Sequence, residues 1–159
     1  MIKKLIILLM LLSPGVEAEQ GSSPLEPFSR LIGGEWHSGG SYQVFEWAVG
    51  KSAVKSRAYF WMNSEAQLVS EGSWYWHPGD QAIRGQFTAV NMPIVLFDYS
   101  TWFETNRMIS DLRAYDKQGN ELRYEEVWDF VSDDQYEWTL YRIDGSGRTK
   151  EMSATYQRR

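Results

Sequence analysis

Cysteine is absent from the 159-residue sequence, and histidine is scarce. Without cysteine, the chain forms no disulfide and has neither a thiolate nucleophile nor a Cys-ligated metal site. The two histidines, His37 and His77, lie in unrelated segments. Because a zinc site needs three or four clustered ligands, we expect no metal site.

An excess of basic residues is also missing. The chain has 16 Lys and Arg against 21 Asp and Glu, which gives a net charge of −5. Proteins that bind nucleic acids cluster Lys and Arg against the phosphates. We therefore expect no nucleic-acid partner.

No apolar run is long enough for a membrane-spanning helix. The N-terminus reads MIKKLIILLMLLSPGVEA, with two lysines, an apolar run and small residues that end at Ala18. The run covers about eight residues, whereas a spanning helix needs about 20. This order predicts a secretory signal peptide over 1–18, cleaved after Ala18, and a periplasmic or secreted protein without a transmembrane segment. Residues 19–24 are expected to be a disordered leader, and 25–159 a single domain.

Helical periodicity is nearly absent as well. Only PLEPFSRLIG at 24–33 spaces apolar residues by three and four, which predicts a short N-terminal helix or a 3₁₀ turn ending at Gly33. The remaining chain reads as short strands separated by turn residues. The predicted strands cover 35–48, 52–62, 66–76, 82–90, 94–104, 107–116, 121–131, 135–143 and 149–157. Short connections make consecutive strands antiparallel, so we predict an all-β, antiparallel up-and-down β-barrel of about 9–10 strands, or a sandwich.

Aromatic residues are abundant, with eight Trp, nine Tyr and seven Phe. A large ring buries on the order of 150–250 Å², so a domain of this size can be stable without disulfides. In the last strands, period-two alternation puts Trp128 and Trp138 on one apolar face, together with Glu126 and Arg142. A charge on such a face must be paired, hydrated or directed into a cavity.

A short helical turn, then Gly34-Glu35-Trp36, then an antiparallel meander resembles the calycin barrels. That group includes lipocalins, fatty-acid-binding proteins and nitrobindin-type proteins, and the chain is most similar to uncharacterised bacterial lipocalin-like domains. The resemblance implies that G-x-W opens the first strand and that an Arg from the end of the barrel packs on the Trp. In the closing SATYQRR, Arg158 matches that Arg, so Gly34, Trp36 and Arg158 are expected to close the barrel.

The resemblance also bears on cofactors and ligand anchors. Nitrobindin-type proteins ligate haem through a His near the C-terminal strands, but no histidine follows His77. Met152 could ligate haem, although a Met on an apolar face is more often part of the core. We therefore expect no cofactor. Fatty-acid-binding proteins hold a ligand carboxylate with lumenal Arg and Tyr, to which Arg142, Tyr156 and Arg158 are a loose analogue in a different order.

The predicted function is that of an exported protein that holds a small hydrophobic or amphipathic molecule in an aromatic-lined barrel. The predicted ligand-binding residues are Trp74, Trp76, Phe87, Glu126, Trp128, Trp138 and Arg142. Ordinary core packing is the alternative for the rings, and an internal ion pair or charges reaching the rim are the alternatives for Glu126 and Arg142.

Two other functions stay open. One is an isomerase or cyclase type of enzyme that uses Glu126 as acid or base in the same cavity. The other is a structural or interaction module with a filled barrel. In that case the ring-rich segment 93–103 would contact a protein or lipid.

Overall fold

The computed structural model describes residues 23–159, which form a single β-barrel. The signal peptide predicted for 1–18 and most of the leader lie outside the described residues. Within 23–159, no helix has the length and apolar character needed to cross a membrane. The strands are β1 (Trp36–Ser38), β2 (Ser41–Trp47), β3 (Ala53–Met62), β4 (Glu65–His77), β5 (Ala82–Ala89), β6 (Ile94–Glu104), β7 (Arg107–Asp116), β8 (Glu121–Ser132), β9 (Gln135–Asp144) and β10 (Gly147–Arg158).

The strands follow one another around the barrel in chain order, and every neighbouring pair is antiparallel. The first strand pairs with the last, which closes the sheet. The predicted all-β up-and-down barrel is thus confirmed, with ten strands. The predicted N-terminal helix is a 3₁₀ helix over Glu26–Leu31, and a second 3₁₀ turn spans Val49–Lys51.

The segment 35–48, predicted as one strand, is instead a tight hairpin. Ser38 ends β1 and Ser41 begins β2, with only Gly39 and Gly40 between them. Gly39 has a φ of 54°, a left-handed conformation that glycine adopts without a steric penalty. The glycine pair therefore reverses the chain instead of bending a continuous strand.

Closure of the barrel rests on a short seam between β1 and β10. The two strands share two residue pairs, Trp36 with Arg158 and His37 with Gln157. Since β1 ends at Ser38, the stretch of β10 from Gly147 to Tyr156 pairs with β9 alone in the described part of the chain. One side of the wall is consequently open above the seam.

The 3₁₀ helix plugs the end of the barrel at which this seam lies. Phe28 and Leu31 are fully buried there. The Phe28 ring lies 5.3 Å from the Trp74 ring and 4.9 Å from the Phe103 ring, measured between centroids. These contacts join the helix to the core, whose buried apolar members are Leu25, Phe28, Leu31, Trp36, Phe45, Val54, Trp74, Ile83, Phe87, Met108, Trp128, Phe130 and Tyr136.

Arg158 connects the last strand to the plug through its guanidinium group. Its carbon lies 4.4 Å from the centroid of the buried Trp36 ring. Its terminal nitrogens donate to four backbone carbonyls, those of Arg30, Ile32, Gly33 and Asp133. The Trp36 indole N–H donates to the Leu31 carbonyl at 2.9 Å. One side chain thus satisfies carbonyls at the end of the 3₁₀ helix and in the β8–β9 turn.

Gly34 leaves the space into which Arg158 fits. Its φ is 71°, and a Cβ added there would lie 2.9 Å from the Arg159 carbonyl oxygen and 3.0 Å from Arg158 Cγ. Gly33 also has a positive φ, of 85°, but no atom would lie within 4 Å of its Cβ. Close approach of the last strand therefore constrains Gly34 alone.

We expect Arg158→Lys to lower the free energy of unfolding by about 2–4 kcal/mol, because lysine keeps the charge but loses the planar fork and the ring contact. Arg123→Lys is the matched control, since that side chain is exposed and pairs only with Glu121 at the surface; its effect should stay within about 0.5 kcal/mol. Urea denaturation measures both. Equal effects of the two variants would contradict the closing role of Arg158.

Gly33→Ala and Gly34→Ala separate backbone strain from steric exclusion. Both place a side chain at positive φ, which costs about 1–2 kcal/mol. Only Gly34→Ala also displaces Arg158 and Arg159, so we expect it to lower the free energy of unfolding by about 1 kcal/mol or more beyond Gly33→Ala. If thermal unfolding gives the same loss for both, the close approach does not contribute.

Candidate functional site

A cavity of about 70 Å³ lies inside the barrel, above the plug. Its wall combines large rings with small and polar residues from six strands. The lining residues are Gln43, Ser56, Ala58, Ser70, Trp74, Phe87, Tyr99, Glu126 and Trp128. Trp74, Phe87, Glu126 and Trp128 belong to the predicted ligand-binding set, and the structure brings these four together.

Glu126 is the only acidic or basic residue in this wall. It points inward from β8 and is 6% exposed. Its Oε1 accepts a hydrogen bond of 2.6 Å from the indole N–H of Trp138. Among the described residues, its other oxygen, Oε2, is buried without a hydrogen-bond partner. The indole N–H groups of Trp74 and Trp128 are buried without a partner as well.

Burial raises the pKa of Glu126, because desolvation disfavours the carboxylate. The hydrogen bond from the Trp138 indole acts in the opposite direction, and so does the nearby Trp128 indole N–H, which does not reach hydrogen-bond geometry. In the described part of the chain, no Lys, Arg or His forms an ion pair with this carboxyl group. Burial, together with the charge of Glu126, also raises the pKa of Tyr99 well above its usual value.

Aromatic rings surround the cavity in tilted and edge-to-face contacts. The Trp74 centroid lies 4.5 Å from that of Phe87, 5.8 Å from that of Tyr99 and 6.3 Å from that of Trp128. Gly85 makes room for this cluster, since a Cβ there would lie 2.7 Å from Trp74 Cδ1. Such edge-to-face packing orients each ring specifically.

Several polar residues of the interior were not predicted as site residues. Gln43 accepts a 2.9 Å hydrogen bond from the Tyr136 hydroxyl, and the buried hydroxyls of Thr101 and Ser110 lie 2.8 Å apart. Gln43 lies between Ser41 and Phe45 in the row of β2 residues that face the interior. A polar residue at an apolar period-two position was the available signal, the same one that marked Glu126.

The interior becomes more accessible along one row of residues. Leu140 pairs with Glu126 across β8 and β9, and Met152 pairs with Leu140 across β9 and β10. Exposure rises along this row from 6% at Glu126 to 50% at Met152, with Leu140 half-buried between them. The row ends at the edge of β10 that has no second strand beside it. Glu126 thus lies at the buried end of this row, and Met152 lies at its exposed end.

Three other predicted site residues lie elsewhere. Trp138 is half-buried and reaches the site through its hydrogen bond to Glu126. Trp76 is 37% exposed near the end of β4 and does not line the cavity, although it shares a face with Trp74. Arg142 is exposed near the end of β9, and its guanidinium lies 3.6 Å from Glu151 and 4.0 Å from Asp144. Trp76 and Arg142 lie outside the wall of this cavity, because strand parity identifies a face but not a depth along the barrel.

The segment 93–103 is mostly a strand of the barrel wall, with both of its edges paired. It contributes β6, which pairs with β5 and β7 on either side. Phe97, Tyr99 and Phe103 pack against the core. Trp102 is its exposed large apolar side chain, at 38%.

The two histidines lie outside the cavity. Nε2 of His37 lies 2.8 Å from Glu35 Oε2, and its ring stacks on Tyr42. In the β4–β5 turn, the Asp80 backbone N–H donates to Nδ1 of His77 at 3.0 Å. Residues 23–159 contain no group of three His, Asp or Glu side chains placed to hold a metal ion.

Comparison with family models and with curated proteins finds no match for the chain. The closed antiparallel barrel is compatible with a calycin-like fold.

Glu126→Gln should change how stability depends on pH. In the folded state the pKa of Glu126 lies above its ordinary value of 4.5. The wild-type free energy of unfolding should therefore fall as the pH rises from 4.5 through this raised pKa. Glu126→Gln should lack this component. Urea titrations from about pH 4 to about pH 8 measure it.

Glu125→Gln is the control for this measurement, because Glu125 is the next residue of β8 and pairs with Arg148 at 2.6 Å on the outer face. It should keep the wild-type decline with pH. Parallel curves for wild type and Glu126→Gln would contradict a raised Glu126 pKa.

Proposed function

We propose that this protein is an exported, calycin-like binding protein that holds a small amphipathic molecule inside its barrel. The observation that carries the proposal is the Glu126 carboxyl group, which has one oxygen without a partner in a ring-lined cavity. Binding sites for small molecules are mostly apolar, with a few polar groups that fix the orientation of the ligand. The cavity has both parts, with the rings of Trp74, Phe87, Tyr99 and Trp128 beside a more polar wall of Gln43, Ser56, Ser70 and Glu126. Export rests on the predicted signal peptide, and the calycin assignment on the G-x-W motif, the barrel topology and the Arg158–Trp36 contact.

The row from Glu126 to Met152, along which exposure rises, supports an elongated ligand. Small-molecule sites usually enclose about 300–1,000 Å³, whereas this cavity encloses about 70 Å³. The cavity is therefore large enough for the polar end of a ligand but not for a whole ligand. Neighbouring strands lie about 4.8 Å apart, so the row Glu126, Leu140, Met152 spans about 10 Å. An apolar tail would lie along this row and leave at the β10 edge.

The small cavity also favours a second candidate, an interaction module whose barrel is filled. Trp74, Phe87 and Trp128 would then be ordinary core, and internal water would satisfy Glu126. The enzymatic use of Glu126 as acid or base stays a prediction. The binding protein and the filled-barrel module differ in whether the tail of a ligand enters the barrel beside β10.

Ala154→Phe tests this entry directly. Ala154 is half-buried and pairs with Trp138, so its side chain faces the interior beside the row from Glu126 to Met152. We expect the larger side chain to weaken displacement of a bound hydrophobic dye by a panel of alkyl amphiphiles by at least about tenfold, because it occupies the space of the tail. Ser153→Phe is the control, since Ser153 is exposed on the opposite face.

Quenching of tryptophan fluorescence gives a second readout in the same titrations. Native mass spectrometry of protein from its own compartment should show a co-purifying small molecule. A wild-type protein that neither binds the dye nor changes its fluorescence with any amphiphile would overturn the binding function and favour the filled barrel.

A further inference from the structure

The Glu126 carboxyl group limits which polar group can occupy the cavity. When Glu126 is ionised, Oε2 is an acceptor without a donor among the described residues, so its partner must donate a hydrogen bond. Oε1 is already engaged by the Trp138 indole. A ligand that presented only acceptors would leave the ionised Oε2 unsatisfied, and an anionic ligand would also face a like charge.

No cationic side chain of the described residues supplies that donor. The cavity wall contains no Lys, Arg or His. The titratable groups whose pKa responds to the charge of Glu126 are Tyr99, Tyr136 and Tyr156, all of them neutral at ordinary pH. The site thus holds one acidic group without a compensating positive charge.

The rings of the cavity favour a positive charge as well. Trp74, Phe87, Tyr99 and Trp128 all line it. Aromatic faces carry a negative potential that attracts ammonium groups, most strongly in tryptophan and where water is excluded. A compact primary ammonium has three donors and suits a cavity of about 70 Å³.

We infer that the ligand carries a primary ammonium group that pairs with Glu126 Oε2 among the rings of Trp74, Tyr99 and Trp128, and an alkyl tail that passes Leu140 and Met152. This inference rests on the proposed binding function and adds the chemical class of the ligand. The ammonium supplies the hydrogen bond that Oε2 lacks and the missing positive charge. A water molecule or a neutral hydroxyl would supply only the first.

Three probes of equal chain length separate the possibilities: octylamine, octanol and octanoate. At about pH 7.5 octylamine is protonated, because alkylamines titrate near the lysine value of about 10.4. We expect octylamine to bind wild-type protein at least about tenfold more tightly than octanol, and octanoate not to bind. Isothermal titration calorimetry and tryptophan fluorescence measure the affinities.

Glu126→Gln should reduce the affinity for octylamine to that for octanol, a loss of at least about tenfold, because the amide removes the charge but still accepts from Trp138. Glu125→Gln removes an equal charge from the outer face and should leave the affinity for octylamine unchanged. Near-ultraviolet circular dichroism verifies that both variants keep the wild-type packing.

The outcomes distinguish this inference from the proposed function. Absence of binding for all three probes overturns both. Equal affinity for octanol and octylamine, preference for octanoate, or full retention of the octylamine affinity in Glu126→Gln overturns the ammonium ligand alone and leaves the binding function standing.

Discussion

The stacking of Arg158 on Trp36 is the contact on which the rest of the barrel depends. Among residues 23–159, two residue pairs join β1 to β10, and beside them Glu35 and Arg159 exchange two backbone hydrogen bonds, so the seam is short. The guanidinium also joins the last strand to the end of the 3₁₀ helix and to the β8–β9 turn. Its attachment holds the plug in place, and the plug covers the aromatic core. Closure at one end also leaves the remaining edge of β10 free.

This asymmetry gives the barrel two different halves. Near the plug, large rings fill the interior, and the main side-chain polar bonds are the Trp36 indole bond and the guanidinium contacts. Above them, Ser56, Ser70 and Ala58 leave space, and Glu126 lies in it with an unsatisfied oxygen. A filled core would gain packing energy from a larger apolar residue in place of this carboxyl group. A buried acid without a counter-charge is an expensive feature, and such features concentrate at sites that bind or react.

Much of the fold could be predicted from local signals. Period-two alternation and turn residues located the strands, because each strand has one buried and one wet face. The hairpin within 35–48 was missed, since two adjacent glycines are consistent with either a bend or a reversal. For the site, parity placed Glu126, Trp74 and Trp128 on the inner face, where the structure has them. It did not reveal that Trp76 and Arg142, which share that face, lie near strand ends and outside the cavity wall.

The sequence by itself determined the all-β class, the order of the strands, the inward-facing residues and the G-x-W and Arg positions, because these depend on local periodicity and on short motifs. Only the tertiary structure decided the depth of each inner residue, the small volume of the cavity, the missing partner of Glu126 and the open edge of β10. These properties depend on strand register and on which side chains from distant strands meet. Register is set by the packing of the whole barrel, and no single strand encodes it.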